Sequence, residues 1–216
     1  KEILKKNSTI ITDKKIETFL IIKKIFKKNK IKILEVNEEI EKINDIFKDD
    51  LGDFKIKNLA MASKALKLCG LSEKSIYQSI KKIKDVNGRL ELVRKYRNNI
   101  KVFVDYAHTP DALSKTLRSL KAKYGNCISI VFGCGGDRDK MKRPLMAKIA
   151  DENCKKIYIT DDNPRNEKPK KIRNELEKNI SKNKAFNIGK RELAIKTAIS
   201  NANPYEIIII AGEGHE

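Results

Sequence analysis

The sequence predicts an α/β protein built mainly from a mostly parallel sheet with helices on both faces. In its second half, apolar strand patterns alternate with helical patterns, and most strand patterns end in a polar or glycine-containing segment. The predicted strands are 101–105, 127–132, 156–160, 184–188 and 206–211, and the predicted helices are 110–124, 143–153, 168–180 and 190–202. Such alternation is typical of right-handed crossovers between parallel strands. The predicted fold is Rossmann-like, and ligands are expected at the carboxyl ends of its strands.

The first half begins with a βαβ pattern. Apolar and β-branched segments at 8–12 and 30–36 predict two strands, and 15–28 predicts a helix with its large apolar residues on one face. Residues 37–50 carry isoleucines at helical spacing but are also highly charged. A helix and a loop both remain open for that segment.

Two further helices and a strand precede the second half. A helix is predicted from Lys55 to Gly70, because glycine is a common C-terminal stop, and Ser72 is predicted to cap another. The inner face of that capped helix is predicted to contain Ile76, Ile80 and Ile83. Residues 87–91, N-G-R-L-E, predict a turn that leads into a strand. Two asparagines at 98 and 99 then mark a boundary, which predicts domains at 1–98 and 99–216.

Composition and charge argue against a membrane partner and a nucleic-acid partner. The chain has 216 residues, 40% of them hydrophobic, and no apolar run long enough to span a bilayer, so no membrane partner is predicted. The net charge is +19, but the lysines are scattered and aromatic residues make up only 6%. That distribution favours a solvated lysine-rich surface over a nucleic-acid site. A positive field would still attract anionic nucleotides.

Cysteine and histidine content predicts no metal site and no disulfide framework. The four cysteines show no C-x-x-C spacing, and the chain has two histidines. Reduced thiols, and a start that lacks an apolar signal core, lead us to expect a cytoplasmic protein. The first residues, K-E-I-L-K-K-N, read as the interior of a longer protein.

The most informative strand end is V-F-G-C-G-G-D-R-D-K-M-K-R-P at 131–144. Its glycines would let backbone amides approach an anion, to which the next helix adds its positive end. The charges of D-R-D and K-x-K-R-P exceed what a turn needs, and guanidinium groups there suit a carboxylate or phosphate. Similar polar strand ends occur at 105–113, 160–165 and 211–216. The sequence therefore predicts one site at the edge where these strands end.

Four of these segments resemble the C-terminal part of a Mur ligase. They are D-Y-A-H-T-P-D-A-L at 105–113, G-C-G-G-D-R-D-K-x-K-R-P-L-M at 133–146, D-N-P-R at 162–165 and A-G-E-G-H-E at 211–216. The closest resemblance is to members that add meso-diaminopimelate to UDP-N-acetylmuramoyl-dipeptide in peptidoglycan synthesis. It implies a monomeric ATP-dependent ligase that uses Mg²⁺ and an acyl phosphate. It also implies that 1–98 is the end of the central ATPase domain and that 99–216 binds the amino acid.

The resemblance also implies roles for individual residues. Arg138 and Arg165 would grip the distal carboxylate of diaminopimelate through charge-assisted hydrogen bonds. Acceptors for its ammonium group would come from Asp162, Asn163 and Glu216. Pro164 and Gly212 complete the residues assigned to this substrate. The resemblance assigns three residues to the ATP side: Arg89, Asp105 and His108. No catalytic residue and no metal ligand is assigned.

Some features of the family are missing from these residues. The glycine-rich G-K-T loop that holds ATP is absent, as is the lysine that the family carbamylates, so the chain alone is expected to be inactive. Position 213 is Glu where the resemblance leads us to expect Lys, and the segment at 37–55 is shorter than expected. Two alternatives remain. One is a lysine-adding Mur ligase, against which Arg165 argues, and the other is a non-catalytic module that binds nucleotide or nucleic acid.

Overall fold

The computed structural model describes residues 8–28, 31–47, 53–84 and 86–212, which form two compact units. The first unit is Lys1–Lys84 and the second is Asp85–Glu216. The sequence predicted the boundary later, at 98–99, because the polar residues there resemble a linker. The strand at Glu91–Lys95, just before these polar residues, pairs with a strand of the second unit and therefore belongs to that unit. The functional identity of the two units stays a prediction.

The first unit contains the predicted βαβ fragment. Its elements are β1 (Thr9–Thr12), α1 (Phe19–Lys28) and β2 (Lys32–Glu35), and the two strands pair in parallel. Helix α1 starts four residues later than the sequence predicted. The reason is local, because the Asp13 carboxylate accepts a hydrogen bond from the Lys15 amide at 2.9 Å and holds a turn there.

The described part of the first unit contains three more helices: α2 (Asn37–Phe47), α3 (Asp53–Leu68) and α4 (Glu73–Ile80). The segment left open between helix and loop is therefore helical over 37–47. Gly70, with φ of +88°, follows the end of α3, and the Ser72 hydroxyl accepts a hydrogen bond from the Ser75 amide at the start of α4. Ile83, predicted on the inner face, is exposed because α4 ends at Ile80.

The described residues of the second unit form a six-stranded sheet with four helices. Its elements are β3 (Glu91–Lys95), β4 (Lys101–Asp105), α5 (Pro110–Tyr124), β5 (Ile128–Phe132), α6 (Lys142–Asn153), β6 (Lys156–Ile159), α7 (Pro169–Glu177), β7 (Ala185–Asn187), α8 (Arg191–Ser200) and β8 (Ile207–Ala211). The strand order is β3-β4-β8-β5-β6-β7. Among the described strands of this sheet, β3 alone is antiparallel, so the predicted mostly parallel sheet is confirmed.

Helices cover both faces of this sheet, as predicted. Residues of α5, α6 and α7 pack on one face, whereas Ala194 and Ala198 of α8 pack on the other. The central strands β5 and β8 are buried along their whole length. Strand β8 lies between β4 and β5, and these parallel strands end at one edge together with β6. In the part of the chain that the structure describes, no helix has the length and apolar character needed to cross a bilayer.

Candidate functional site

Two loops meet at the carboxyl edge of the sheet. We call residues 133–141, after β5, the β5 loop, and residues 160–168, after β6, the β6 loop. The Gly136 amide donates to the Asn163 carbonyl at 2.9 Å, and a Cβ on Gly136 would lie 1.9 Å from the Pro164 carbonyl oxygen. Glycine is therefore needed here for loop contact. The sequence predicted that these glycines let backbone amides approach an anion. The Gly136 amide instead donates to the β6 loop.

The two arginines predicted to bind substrate lie on these touching loops. Arg138 is exposed on the β5 loop and makes no hydrogen bond or ion pair with any residue in the described ranges. Arg165 is exposed on the β6 loop, where it has a φ of +48° and donates its amide to the Asn163 side chain at 3.2 Å. Its Nη1 also donates to the Gly136 carbonyl at 2.7 Å, which leaves its other guanidinium nitrogens without a bond to the described residues. Two guanidinium groups are thus presented at one edge.

The other predicted residues of the β6 loop shape its backbone. One carboxylate oxygen of Asp162 accepts a hydrogen bond from the Asn163 amide at 2.6 Å, and the Pro164 carbonyl accepts one from the Glu167 amide at 2.9 Å. Asp162 and Pro164 are half-buried, whereas Asn163 is exposed. The second carboxylate oxygen of Asp162 accepts no hydrogen bond from the described residues.

Gly212 lies where β8 ends, beside β4. It has a φ of +92°, which favours glycine, and its amide donates to the Asp105 carbonyl at 2.9 Å. Glu216, predicted to accept the ammonium group, lies outside the described residues, as does Glu213. The end of β8 is therefore brought to the same edge as the two loops, and the assignment of Glu216 stays a prediction.

Asp105 is buried and uses both carboxylate oxygens inside the protein. One oxygen accepts from the Leu90 amide at 2.7 Å, and the other accepts from the Ala107 amide at 2.9 Å and the Thr116 hydroxyl at 3.2 Å. Leu90 has a φ of +51°, a conformation that needs such support in a non-glycine residue. Asp105 therefore holds the approach to β3 and the start of the segment after β4 in fixed positions.

Arg89 and His108, also predicted on the ATP side, both contact Tyr106. The Arg89 guanidinium lies 4.5 Å from the centre of the Tyr106 ring, and the His108 ring packs edge-on at 4.8 Å. All three side chains are exposed. Lys142 Nζ donates to the His108 carbonyl at 2.9 Å and ties this segment to α6. Sequence reasoning did not single out Tyr106, although it lies inside the motif at 105–113.

Arg143 corrects one prediction from the sequence. The charges of K-x-K-R-P suggested guanidinium groups for an anion, but the Arg143 side chain is only 1% exposed and faces protein carboxylates. Its two terminal nitrogens bond Glu167 at 2.7 and 3.1 Å, and Nη1 bonds Glu175 at 2.6 Å. Helical spacing could have indicated that Arg143 is buried. Met146, Ala147 and Ala150 lie three, four and seven residues after it, so all four residues share the buried face of α6. Arg143 is therefore not free to bind a ligand.

The Arg143 network shifts two pKa values. Hydrogen bonds from Arg143 first, and from the Asp137 amide second, lower the pKa of Glu167 from 4.5 to about 2. Hydrogen bonding to Glu167 is the main cause that raises the pKa of Arg143. Both groups are therefore charged wherever the protein is folded near neutral pH.

The lowered pKa of Glu167 predicts a specific acid sensitivity. A folded-state pKa of about 2, below the ordinary 4.5, stabilises the fold above about pH 4.5, and this contribution is lost as pH falls toward 2. The denaturation midpoint of Glu167→Gln should therefore fall less steeply than that of the unmodified protein between these pH values. Midpoints measured at several pH values in urea provide the test. Parallel curves for the two proteins would contradict it.

Comparison with known proteins shows which family this chain matches. The family described as "Mur ligase, glutamate ligase domain" matches residues 88–214. A protein of Rickettsia montanensis named UDP-N-acetylmuramoyl-L-alanyl-D-glutamate--2,6-diaminopimelate ligase is 44% identical over 168 residues, covering 77% of this chain and 34% of the relative. A protein of the same name from Rickettsia bellii is 38% identical over 237 residues, covering 99% of this chain and 49% of the relative.

A solved structure of a protein with the same name is also similar to this chain. It is the structure of a UDP-N-acetylmuramoyl-L-alanyl-D-glutamate--2,6-diaminopimelate ligase, and it matches with a TM-score of 0.57 and 38% identity. The match covers 77% of this chain and 34% of that one. The chain thus spans between a third and a half of the length of these relatives.

Proposed function

The chain belongs to the Mur ligase family, and from this we propose that it is the amino-acid-binding part of a ligase that adds meso-diaminopimelate to UDP-N-acetylmuramoyl-L-alanyl-D-glutamate. The observation that supports the substrate is the presence of Arg138 and Arg165 on two loops that touch through Gly136. A substrate with a second carboxylate needs a fixed cationic group away from the reacting amine. The first unit is proposed to be the end of the ATP-binding domain.

The proposed reaction has two steps. A phosphoryl group passes from ATP to a carboxylate of the UDP-linked dipeptide, which leaves ADP and an acyl phosphate. The amine of diaminopimelate then attacks the carbonyl carbon of this acyl phosphate, loses a proton and displaces phosphate. The product is an amide bond. Catalysis in such steps comes mainly from positioning and charge stabilisation. The proposed contribution of this chain is to hold the second amino acid with its amine directed at the acyl phosphate.

The described residues fit a nucleotide better than a metal. Tyr106, in contact with both Arg89 and His108, offers an aromatic ring beside a cation, which suits a base or a phosphate. The described ranges contain no group of three or more His, Cys, Asp or Glu side chains that could hold a metal ion. We propose ATP contacts at Arg89 and His108. The monomeric state and the cytoplasmic location stay predictions.

A ligation assay tests the proposed function. The full-length protein that contains these residues should release phosphate from ATP only when the UDP-linked dipeptide and meso-diaminopimelate are both present. The same assay with L-lysine addresses the lysine-adding alternative, and the 216-residue chain alone should give no turnover. Equal or better use of L-lysine would overturn the substrate assignment. Absence of amide formation with either amino acid would overturn the ligase assignment.

A further inference from the structure

We propose that Arg143 and Glu167 are positioning residues that hold the β5 loop and the β6 loop in a single arrangement, and thereby set the affinity for an amino acid with a second carboxylate. The proposal rests on the proposed function. Neither residue is assigned to substrate, since the Arg143 side chain is 1% exposed and the Glu167 side chain 11% exposed. Their effect must therefore pass through Arg138 and Arg165.

The pair has the geometry of a strong ion pair. Arg143 Nη2 lies 2.7 Å from Glu167 Oε1, and Nη1 lies 3.1 Å from Oε2, so the two groups meet as planar forks. Arg143 Nη2 also donates to the Gly135 carbonyl at 3.3 Å. Bidentate pairs of this kind fix orientation as well as distance. Arg143, in the first turn of α6, thus binds the β6 loop through Glu167 and the β5 loop through Gly135.

Glu167 reaches the β5 loop directly as well. Its Oε1 accepts the Asp137 amide at 2.8 Å, one residue before Arg138. The Asp137 carboxylate in turn accepts from the Asn166 amide at 3.1 Å and from the Asn166 side chain at 2.8 Å. Each loop therefore supplies one carboxylate that binds the backbone of the other. Beside these bonds, Arg165 Nη1 donates to the Gly136 carbonyl.

Backbone conformation indicates why such a network is needed. Asp137 has a φ of +49° and Arg165 a φ of +48°, although neither is glycine. Positive φ is uncommon in non-glycine residues, less so for aspartate than for arginine, and the surrounding contacts then hold the backbone in this region. The conformation at Arg165 sets the direction of its own side chain, and that at Asp137 sets the direction of the neighbouring Arg138. Loss of the Glu167 bonds should let both backbones relax.

Glu175 offers a matched control. Its carboxylate lies 2.6 Å from the same Arg143 nitrogen, so Glu175→Gln removes one negative charge from the same guanidinium as Glu167→Gln does. Its side chain bonds neither loop among the described residues. A purely structural role for the network predicts similar effects of the two substitutions. A positioning role predicts an effect of Glu167→Gln alone on the amino-acid site.

The first measurement uses the full-length enzyme. In Glu167→Gln we expect KM for meso-diaminopimelate to rise by about tenfold or more, since Arg138 and Arg165 would no longer both be held in place to bind the second carboxylate. KM for ATP and kcat should stay within about twofold. Glu175→Gln should change none of the three by more than about twofold. Arg143→Lys, which keeps the charge and loses the fork, should raise KM for meso-diaminopimelate as Glu167→Gln does.

The second measurement needs no activity. In the 216-residue chain, amide hydrogen exchange at Gly136 and Asp137 should be at least about tenfold faster in Glu167→Gln than in the unmodified protein, and unchanged in Glu175→Gln. Equal exchange in the two variants, or an unchanged KM in both Glu167→Gln and Arg143→Lys, would overturn the proposal. If the unmodified enzyme does not use meso-diaminopimelate, the proposed function fails. The exchange rates then still decide whether Glu167 holds the two loops.

Discussion

Arg165→Ala in the full-length protein is expected to lower kcat/KM for meso-diaminopimelate by roughly thirtyfold or more. The substitution removes a charge-assisted hydrogen bond and leaves the distal carboxylate unpaired, a loss of about 2 to 5 kcal/mol, and about 1.4 kcal/mol corresponds to tenfold. Arg165 lies on the β6 loop with one guanidinium nitrogen on the Gly136 carbonyl at 2.7 Å. That bond holds the guanidinium in place and leaves its other nitrogens for the substrate.

The control for Arg165→Ala is the competing substrate. L-Lysine has no distal carboxylate, so its kcat/KM should change little, and the ratio of the two kcat/KM values is the quantity to measure. A similar loss with both amino acids would mean that Arg165 acts through the loop contact or the ATP step. The substrate assignment would then be wrong, although the family would be unaffected.

Arg143→Met is expected to destabilise the second unit strongly. Removing one partner of a buried ion pair costs about 3 to 5 kcal/mol, because the remaining charges lose their compensation. Arg143 is the shared partner of Glu167 and Glu175. The expected fall in Tm is on the order of 10 °C for a unit of this size.

Lys142→Met is the matched control for Arg143→Met. Lys142 lies one residue earlier in the same turn of α6, and its Nζ bonds only the His108 carbonyl among the described residues. Tyrosine fluorescence can follow the second unit, since five of the six tyrosines lie after residue 85. Similar Tm losses in the two variants would attribute the effect to charge at the helix start. An unchanged Tm in Arg143→Met would contradict the assignment of a stabilising ion pair.

Much of the fold could be predicted from the sequence because its strands are buried on both faces. Strand β8 is a continuous apolar run, β5 is apolar except at Ser129, and a glycine follows each of them at once. The sequence did not decide between a helix and a loop for residues 37–50, because many charged residues lie among the isoleucines. The apolar face of this segment is decided by tertiary packing, in which Ile43 contacts the cluster that contains Ile56 and Ile76. The compact units divide before β3 rather than at the predicted 98–99, and the pairing of β3 with β4 that places this strand in the second unit leaves no local signal in the sequence.

The candidate site was predicted less completely than the fold. Motifs gave the positions of Arg138 and Arg165, but charge alone does not tell whether an arginine faces a ligand or a carboxylate of the protein. Arg143 is an example, since its partners lie 24 and 32 residues further along the chain. Glu167 follows D-N-P-R closely, yet nothing in its neighbourhood indicates that it bonds the Asp137 amide. Such non-local pairing requires coordinates.

The position of β8 has a consequence for biosynthesis. This strand lies between β4 and β5, so that Val102 pairs with Ile208, about a hundred residues later in the chain. During translation, β4 and β5 therefore emerge from the ribosome long before the strand that joins them, and their apolar edges stay unpaired in that interval. Contacts of such long range slow folding and leave intermediates exposed to aggregation. The sheet of the second unit can therefore close only after β8, its last strand in the chain, has been synthesised.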